Sequence, residues 1–131
     1  MSRKDKKMRV WIDGICEPNP GKMGIGIFFE DGTEISKKLG KGTNNIAEYL
    51  SLLHAIEELK KKGIKQAAIH SDSRLLVNQM NGKWKIKSAT SKKYVHTIKQ
   101  KIENYGLRLD IQWIPREDNK KADMLSKKAL E

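Results

Sequence analysis

Four acidic residues spread along the chain have the type and setting for shared chemistry: Asp13, Glu48, Asp72 and Asp123. Asp13 closes the β-forming run MRVWID (8–13), and Asp72 closes QAAIHSD (66–72). If those runs are parallel neighbours, both side chains emerge at one rim, where ligands gather in open α/β sheets. Glu48 sits in the first turn of a helical pattern; Leu52, Ala55 and Leu59 follow it at i+4, i+7 and i+11, so it heads a row facing the sheet. Asp123 holds a similar place near the start of the last helical stretch, beside Met124 and Leu125 and with Leu130 at i+7. Each acid also has an ordinary reading. Glu48 with Asn45 fits a capping box, Asp72 an N-cap, Asp123 a solvated helix charge and Asp13 before Gly14 a turn. Taken together they favour chemistry, because four carboxylates on one rim repel unless a cation lies among them. Mg²⁺ suits that place, since it takes oxygen ligands, keeps several waters and combines one or two carboxylates with phosphate oxygens. Two such ions about 3.5–4 Å apart would serve the attacking water and the leaving oxygen of a phosphodiester.

The charge of the whole chain points to the same substrate class. Twenty-seven basic against sixteen acidic residues leave a net charge of +11 over 131 residues, which favours a nucleic-acid partner. No segment approaches the 18 apolar residues of a membrane span. A lone Cys16 excludes an intramolecular disulfide, and the opening MSRKDKK lacks the apolar stretch of a secretory signal, so a cytoplasmic protein is expected. That opening reads as a basic, mobile arm over residues 1–7. His54, His70 and His96 stand on separate elements without partners at zinc spacing, and GKMGIG leads into a strand where a phosphate loop would lead into a helix. From Lys83 to Lys101 there are seven lysines and no acid, with Trp84 between Lys83 and Lys85. Such density suits a polyanion or a solvated helix face, and Trp84 either packs on a sugar or fills a gap under the loop.

The elements that must position these residues are legible from periodicity. MRVWID, GIGIFFE (24–30) and TEISKKLG (33–40) read as three strands of a meander, the last two joined at Asp31-Gly32. A helix is expected from Asn45 to Lys62, where Ile46, Tyr49, Leu50, Leu53 and Ile56 recur at helical spacing before a closing Gly63. A buried strand follows at 66–72, then a short helix at 73–82 and a longer one at 91–106. LRLDIQWI (107–114) alternates as a strand until Pro115, and a last helix spans 119–130. Three hairpin-linked strands followed by helix-separated ones imply a five-stranded mixed sheet, antiparallel and then parallel, flanked by helices in one α/β domain over residues 8–131.

Four segments, IDGICEPNPG, GTNNIAEYLSLLHAIEEL, IHSDSRLLVNQMNGKWKIKS and IQWIPREDNKKADMLSKKA, resemble in order the motifs of type 1 ribonuclease H, and the likeness covers nearly everything after Lys7. It implies the ribonuclease H-like fold and metal-dependent hydrolysis of the RNA strand of an RNA–DNA hybrid, leaving 5′-phosphate and 3′-hydroxyl ends. It casts Asp13, Glu48, Asp72 and Asp123 as a catalytic quartet holding two Mg²⁺ ions, with Mn²⁺ as the alternative. Asn19, Asn44 and Asn45 match positions that contact the minor groove and RNA 2′-hydroxyls, and Lys41 and Thr43 match a pocket for a DNA-strand phosphate. Lys83, Trp84, Lys85 and Lys87 fall in the lysine-rich hybrid-binding stretch. The expected protein is a monomer without membrane contact. A module that binds hybrids without cutting them is the alternative. Two departures from the family stand out: Gly82–Ser91 is too short for the extra basic helix of many bacterial relatives, and the loop PREDNKKAD has no histidine before the last aspartate, Glu117 being a partial substitute or a surface charge.

Overall fold

A computed structural model describes residues 7–131, so the expected basic arm falls, except for Lys7, outside the described residues. Strands β1 (Met8–Glu17), β2 (Gly21–Phe29) and β3 (Glu34–Gly42) form the meander, and helix α1 (Asn44–Lys62) crosses to β4 (Gln66–Ser71). Helices α2 (Arg74–Met80) and α3 (Ala89–Asn104) lead to β5 (Arg108–Trp113), and a 3₁₀ turn over Arg116–Asp118 precedes α4 (Lys120–Lys128). The strands lie in the order β3-β2-β1-β4-β5, antiparallel among the first three in sequence and parallel from β1 to β4 to β5. This is the expected mixed sheet.

Alternation along each strand separates two faces. Val10, Ile12, Ile25, Ile27 and Ile69 are fully buried in one core with Leu52, Ile56 and Leu59 of α1 and Ile98 of α3. Burial of side chains of this size contributes about 1.5–3 kcal/mol each, so this face carries most of the stability. Trp11 and Asp13 point the other way, toward the side where α4 packs on β2 and β1. Gly26, opposite Asp13, permits that packing: a Cβ there would lie 2.1 Å from the Ala122 carbonyl oxygen.

Several boundaries differ from the periodicity, each for a tertiary reason. Asp13-Gly14 is no turn. β1 continues to Glu17 because β2 goes on pairing with it, whereas parallel pairing with β4 stops at Ile12 opposite Ser71. Asp13 therefore stands where β1 loses one neighbour, just beyond the end of β4. Gly14 is required by close approach instead, since a Cβ would sit 2.3 Å from the backbone of Ala47. α1 starts at Asn44 because Thr43 Oγ1 accepts the Ile46 N–H at 3.2 Å, and it stops at Gly63, whose φ of 71° is left-handed. Ser73 and Ser88 cap α2 and α3 in the same way. The 3₁₀ turn was not expected. No helix forms between Met80 and Ala89, in agreement with the short Gly82–Ser91 stretch.

Candidate active site

The sheet topology delivers three of the four acids to one place. Asp13 from β1, Glu48 from the first turns of α1 and Asp72 just past β4 each offer a carboxylate oxygen, and these oxygens lie within 4.8 Å of one another. They line a recess of about 320 Å³ together with Gly14, Asn44 and Arg116. Asp123 lies outside that trio. It borders the group from α4, with Lys127 Nζ at 3.0 Å and Arg116 Nη2 at 4.0 Å from its two oxygens.

The backbone holds each acid in a defined way. Glu48 caps no helix, since Thr43 does; its Oε1 accepts the Gly14 N–H at 2.8 Å. That bond exists because Gly14 lets α1 press against β1. Asp72 is likewise not the cap of α2, a role taken by Ser73. Asp13 Oδ2 lies 2.6 Å from the Ser126 hydroxyl, which also lies 2.8 Å from the Asp123 carbonyl and so ties the first acid to the last helix.

Electrostatics shows what this grouping costs. Burial, followed by the negative charges of Asp72 and Asp123, pushes the Asp13 carboxyl from 3.8 up to about 7, against the Ser126 hydrogen bond and Arg116. Glu48 is held well above the usual carboxylate range by burial and by Asp13 and Asp72, although the Gly14 N–H and Arg116 oppose this. Buried carboxylates that resist ionisation alone are what a bound cation would relieve. Hard oxygen donors, the absence of thiol or imidazole in the group and its partial exposure fit a hard divalent ion that keeps waters. The residues able to hold it are Asp13, Glu48 and Asp72.

Three residues that motif reading passed over complete the site. Arg116 is the cation of the recess. Ser126 anchors Asp13. Asn119, buried before α4, donates through Nδ2 to the Ile12 carbonyl at 2.9 Å and to Asp72 Oδ2 at 3.2 Å, while its backbone carbonyl accepts the Asp123 N–H at 3.0 Å. Both partners of the side-chain amide are acceptors, so its nitrogen must face them; Oδ1 is left buried without a donor among the described residues. One side-chain amide thus links the neighbour of Asp13 to Asp72, and the backbone of the same residue opens the helix that carries Asp123. No local signal marks its role, because the side-chain bonds reach residues distant in sequence.

The candidate hybrid contacts fall around the recess. Asn44 Oδ1 accepts the Cys16 N–H at 2.8 Å, and Asn19 Oδ1 accepts the Asn44 N–H at 3.2 Å, so both asparagines brace the mouth of α1. Lys41 and Thr43 line a cavity of about 740 Å³ with Pro18, Pro20 and Lys22. Asn45, Lys83, Trp84, Lys85 and Lys87 line another of about 570 Å³. Trp84 is 47% exposed, so it does not fill a gap under the loop. Among the described residues no helix is long and apolar enough to cross a membrane.

Comparison with known proteins agrees with this geometry. Residues 12–129 match the family model described as "Reverse transcriptase-like". The chain is 33% identical over 131 residues to the "Bifunctional protein Rv2228c" of Mycobacterium tuberculosis, covering 95% of this chain and 36% of that one. The chain thus spans about a third of the length of the mycobacterial relatives it matches. It is 36% identical over 105 residues to a "Ribonuclease H" of Chlorobium phaeobacteroides, covering 78% of this chain and 70% of the relative. Among solved structures, LC11-RNase H1 in complex with an RNA/DNA hybrid, a protein isolated from compost by a metagenomic approach, superposes with a TM-score of 0.86 at 35% identity, over 95% of this chain and all of the other.

Proposed function

The chain belongs to the ribonuclease H family, and from that premise we propose that it is an endonuclease hydrolysing the RNA strand of RNA–DNA hybrids with divalent metal ions. The observation that carries this reading is the convergence of Asp13, Glu48 and Asp72 within 4.8 Å in a chain of net charge +11. An acidic recess in a basic protein suits a site that recruits cations to a phosphate backbone. The three acids, with Asp123 beside them, would hold two Mg²⁺ ions, Mn²⁺ being the alternative. When bound, such ions neutralise the phosphodiester, favour ionisation of an attacking water and stabilise the departing oxygen.

The protein's own part is positional. The Gly14 N–H orients Glu48, Ser126 holds Asp13 and Asn119 holds Asp72, so the carboxylates enter the reaction already placed. In this reading water is the nucleophile: it attacks the phosphorus and the 3′ oxygen departs, leaving 5′-phosphate and 3′-hydroxyl ends. Asn44, whose Oδ1 is committed to Cys16, offers Nδ2 to the RNA strand; Asn19 and Asn45 read the 2′-hydroxyls beside it. Lys41 and Thr43 take a phosphate of the DNA strand, and Lys83, Trp84, Lys85 and Lys87 follow the backbone. Residues 8–131 form the catalytic domain of a monomer acting in the cytoplasm.

A hybrid labelled on the RNA strand, incubated with Mg²⁺ or Mn²⁺, tests this. RNA fragments with 5′-phosphates are expected, and Asp72→Asn should abolish them while the hybrid still shifts on a gel. A hybrid that is bound and left whole by the wild-type protein would instead identify a binding module.

A further inference from the structure

Among the described residues, one cation near the recess has no acidic partner. Arg74 opens α2, two residues after Asp72, and its guanidinium lies over the Trp113 ring, 4.4 Å from the centroid. Trp113 ends β5 in register with Ser71, and its indole N–H donates to the Asp72 carbonyl at 3.2 Å. The ring is 40% exposed, and Arg74 is exposed beside it. Arg74 forms no salt bridge among the described residues, whereas Lys62, Lys101 and Lys121 each meet a carboxylate. Asp72, two residues away, makes no ion pair with it among the described residues, and its Oδ2 takes the Asn119 amide instead.

An exposed ring that is pinned by its only polar atom does little for the core. A guanidinium held over it gives up side-chain freedom without a charge partner. Both features make sense if the pair is prepared for a ligand. The planar fork of arginine matches a phosphate through two parallel hydrogen bonds, and stacking leaves its N–H edge free. Bracing the fork beforehand lowers the ordering cost when the phosphate arrives. Leu75, the next residue, lines the cavity of Lys83, Lys85 and Lys87, so along the chain Arg74 joins that basic patch to Asp72.

We propose that Arg74, braced by Trp113, grips the sugar–phosphate backbone of the RNA strand beside the linkage presented to the acids. This rests on the hybrid-nuclease reading. The strand assignment follows from position: Arg74 is two residues from Asp72, which faces the linkage to be cut. Trp113 is a positioning residue that acts through Arg74.

The test is fluorescence anisotropy of a labelled hybrid with the full chain in EDTA, at about 50 to 200 mM KCl. Arg74→Ala should weaken binding about ten-fold and lower the steepness of log K against log salt by about 0.9. Arg74→Lys should keep the slope and lose part of the affinity. Trp113→Ala should weaken binding about three-fold with the slope kept, and Trp113→Phe should restore most of that, the ring remaining. Combined with Arg74→Ala, Trp113→Ala should add nothing. Lys61→Ala, a charge-matched control at the far end of α1, should leave the slope unchanged. A neutral methylphosphonate in the RNA strand next to the cleavage point should erase the difference between wild type and Arg74→Ala. If Arg74→Ala matches wild type, if Lys61→Ala lowers the slope equally, or if only DNA-strand methylphosphonates erase the difference, the assignment is overturned while wild-type cleavage leaves the nuclease reading intact. A wild-type chain that neither cuts nor binds the hybrid overturns both.

Discussion

Asp13→Asn should stabilise the metal-free protein, and the gain should depend on pH. In the folded chain burial and neighbouring acids raise the Asp13 carboxyl from 3.8 to about 7. The folded state therefore binds this proton more tightly than the unfolded one. Stability from this group is present below the unfolded value and is lost as pH rises toward the folded value. A rise of that size corresponds to about 4 kcal/mol once both states are ionised, and to about 1.5 kcal/mol at pH 5, where only the unfolded state is. Asparagine keeps the shape, can still meet the Ser126 hydroxyl and carries no charge. Urea unfolding in EDTA should then show the variant more stable by about 2–4 kcal/mol at pH 8, with the gap narrowing to about 1.5 at pH 5 and closing near pH 4. Glu48, raised in the same direction, contributes to the slope of both proteins. Added Mg²⁺ should stabilise the wild type and do little for the variant, because only the wild type retains the full donor set. A variant less stable than wild type at pH 8, or a gap that ignores pH, would refute the reasoning that these acids are brought together at a cost relieved by a cation.

Other outcomes follow from the same geometry. Asn119→Asp removes the donor to Asp72 and adds a repelling carboxylate, so Mg²⁺ affinity by calorimetry should fall about 10- to 100-fold, as expected when a group supporting a metal ligand is lost. Gly14→Ala forces a Cβ to within 2.3 Å of the Ala47 backbone and should cost about 1–3 kcal/mol in urea unfolding, with loss of cleavage as α1 moves off β1. Replacing Lys83, Lys85 and Lys87 together with alanine should lower the salt slope of hybrid binding by about 2 to 3, while single-turnover cleavage at saturating hybrid persists.

What could be read in advance was what periodicity and chain order encode. The apolar row behind Glu48 placed α1 against the sheet, and the alternating β5 run and its stop at Pro115 matched the strand end. The mixed character of the sheet, antiparallel and then parallel, followed from hairpin-linked and helix-linked connections, whereas the order β3-β2-β1-β4-β5 came only with the folded chain. Gly14 misled, because a glycine after aspartate suggests a turn locally, while its actual reason, the backbone of Ala47, lies over thirty residues away. The capping reading of Glu48 failed for a similar reason. Thr43 competes for the same helix end, and only the folded chain brings the Gly14 N–H to the carboxylate. Asn119 and Ser126 were invisible since their partners, Ile12, Asp72 and Asp13, are distant in sequence. Asp123 was grouped correctly with the last helix, but its pairing with Lys127 and Arg116 depends on how α4 and the 3₁₀ turn settle over the rim.

The most direct test is a crystal of the full chain grown with a hybrid and Mn²⁺, with anomalous scattering used to locate the ions. Manganese is expected in the recess, coordinated at about 2.1 Å by carboxylate oxygens of Asp13, Glu48 and Asp72, with an RNA phosphate completing its shell. Ions bound only elsewhere, with those three side chains turned from one another and from the RNA strand, would contradict the account.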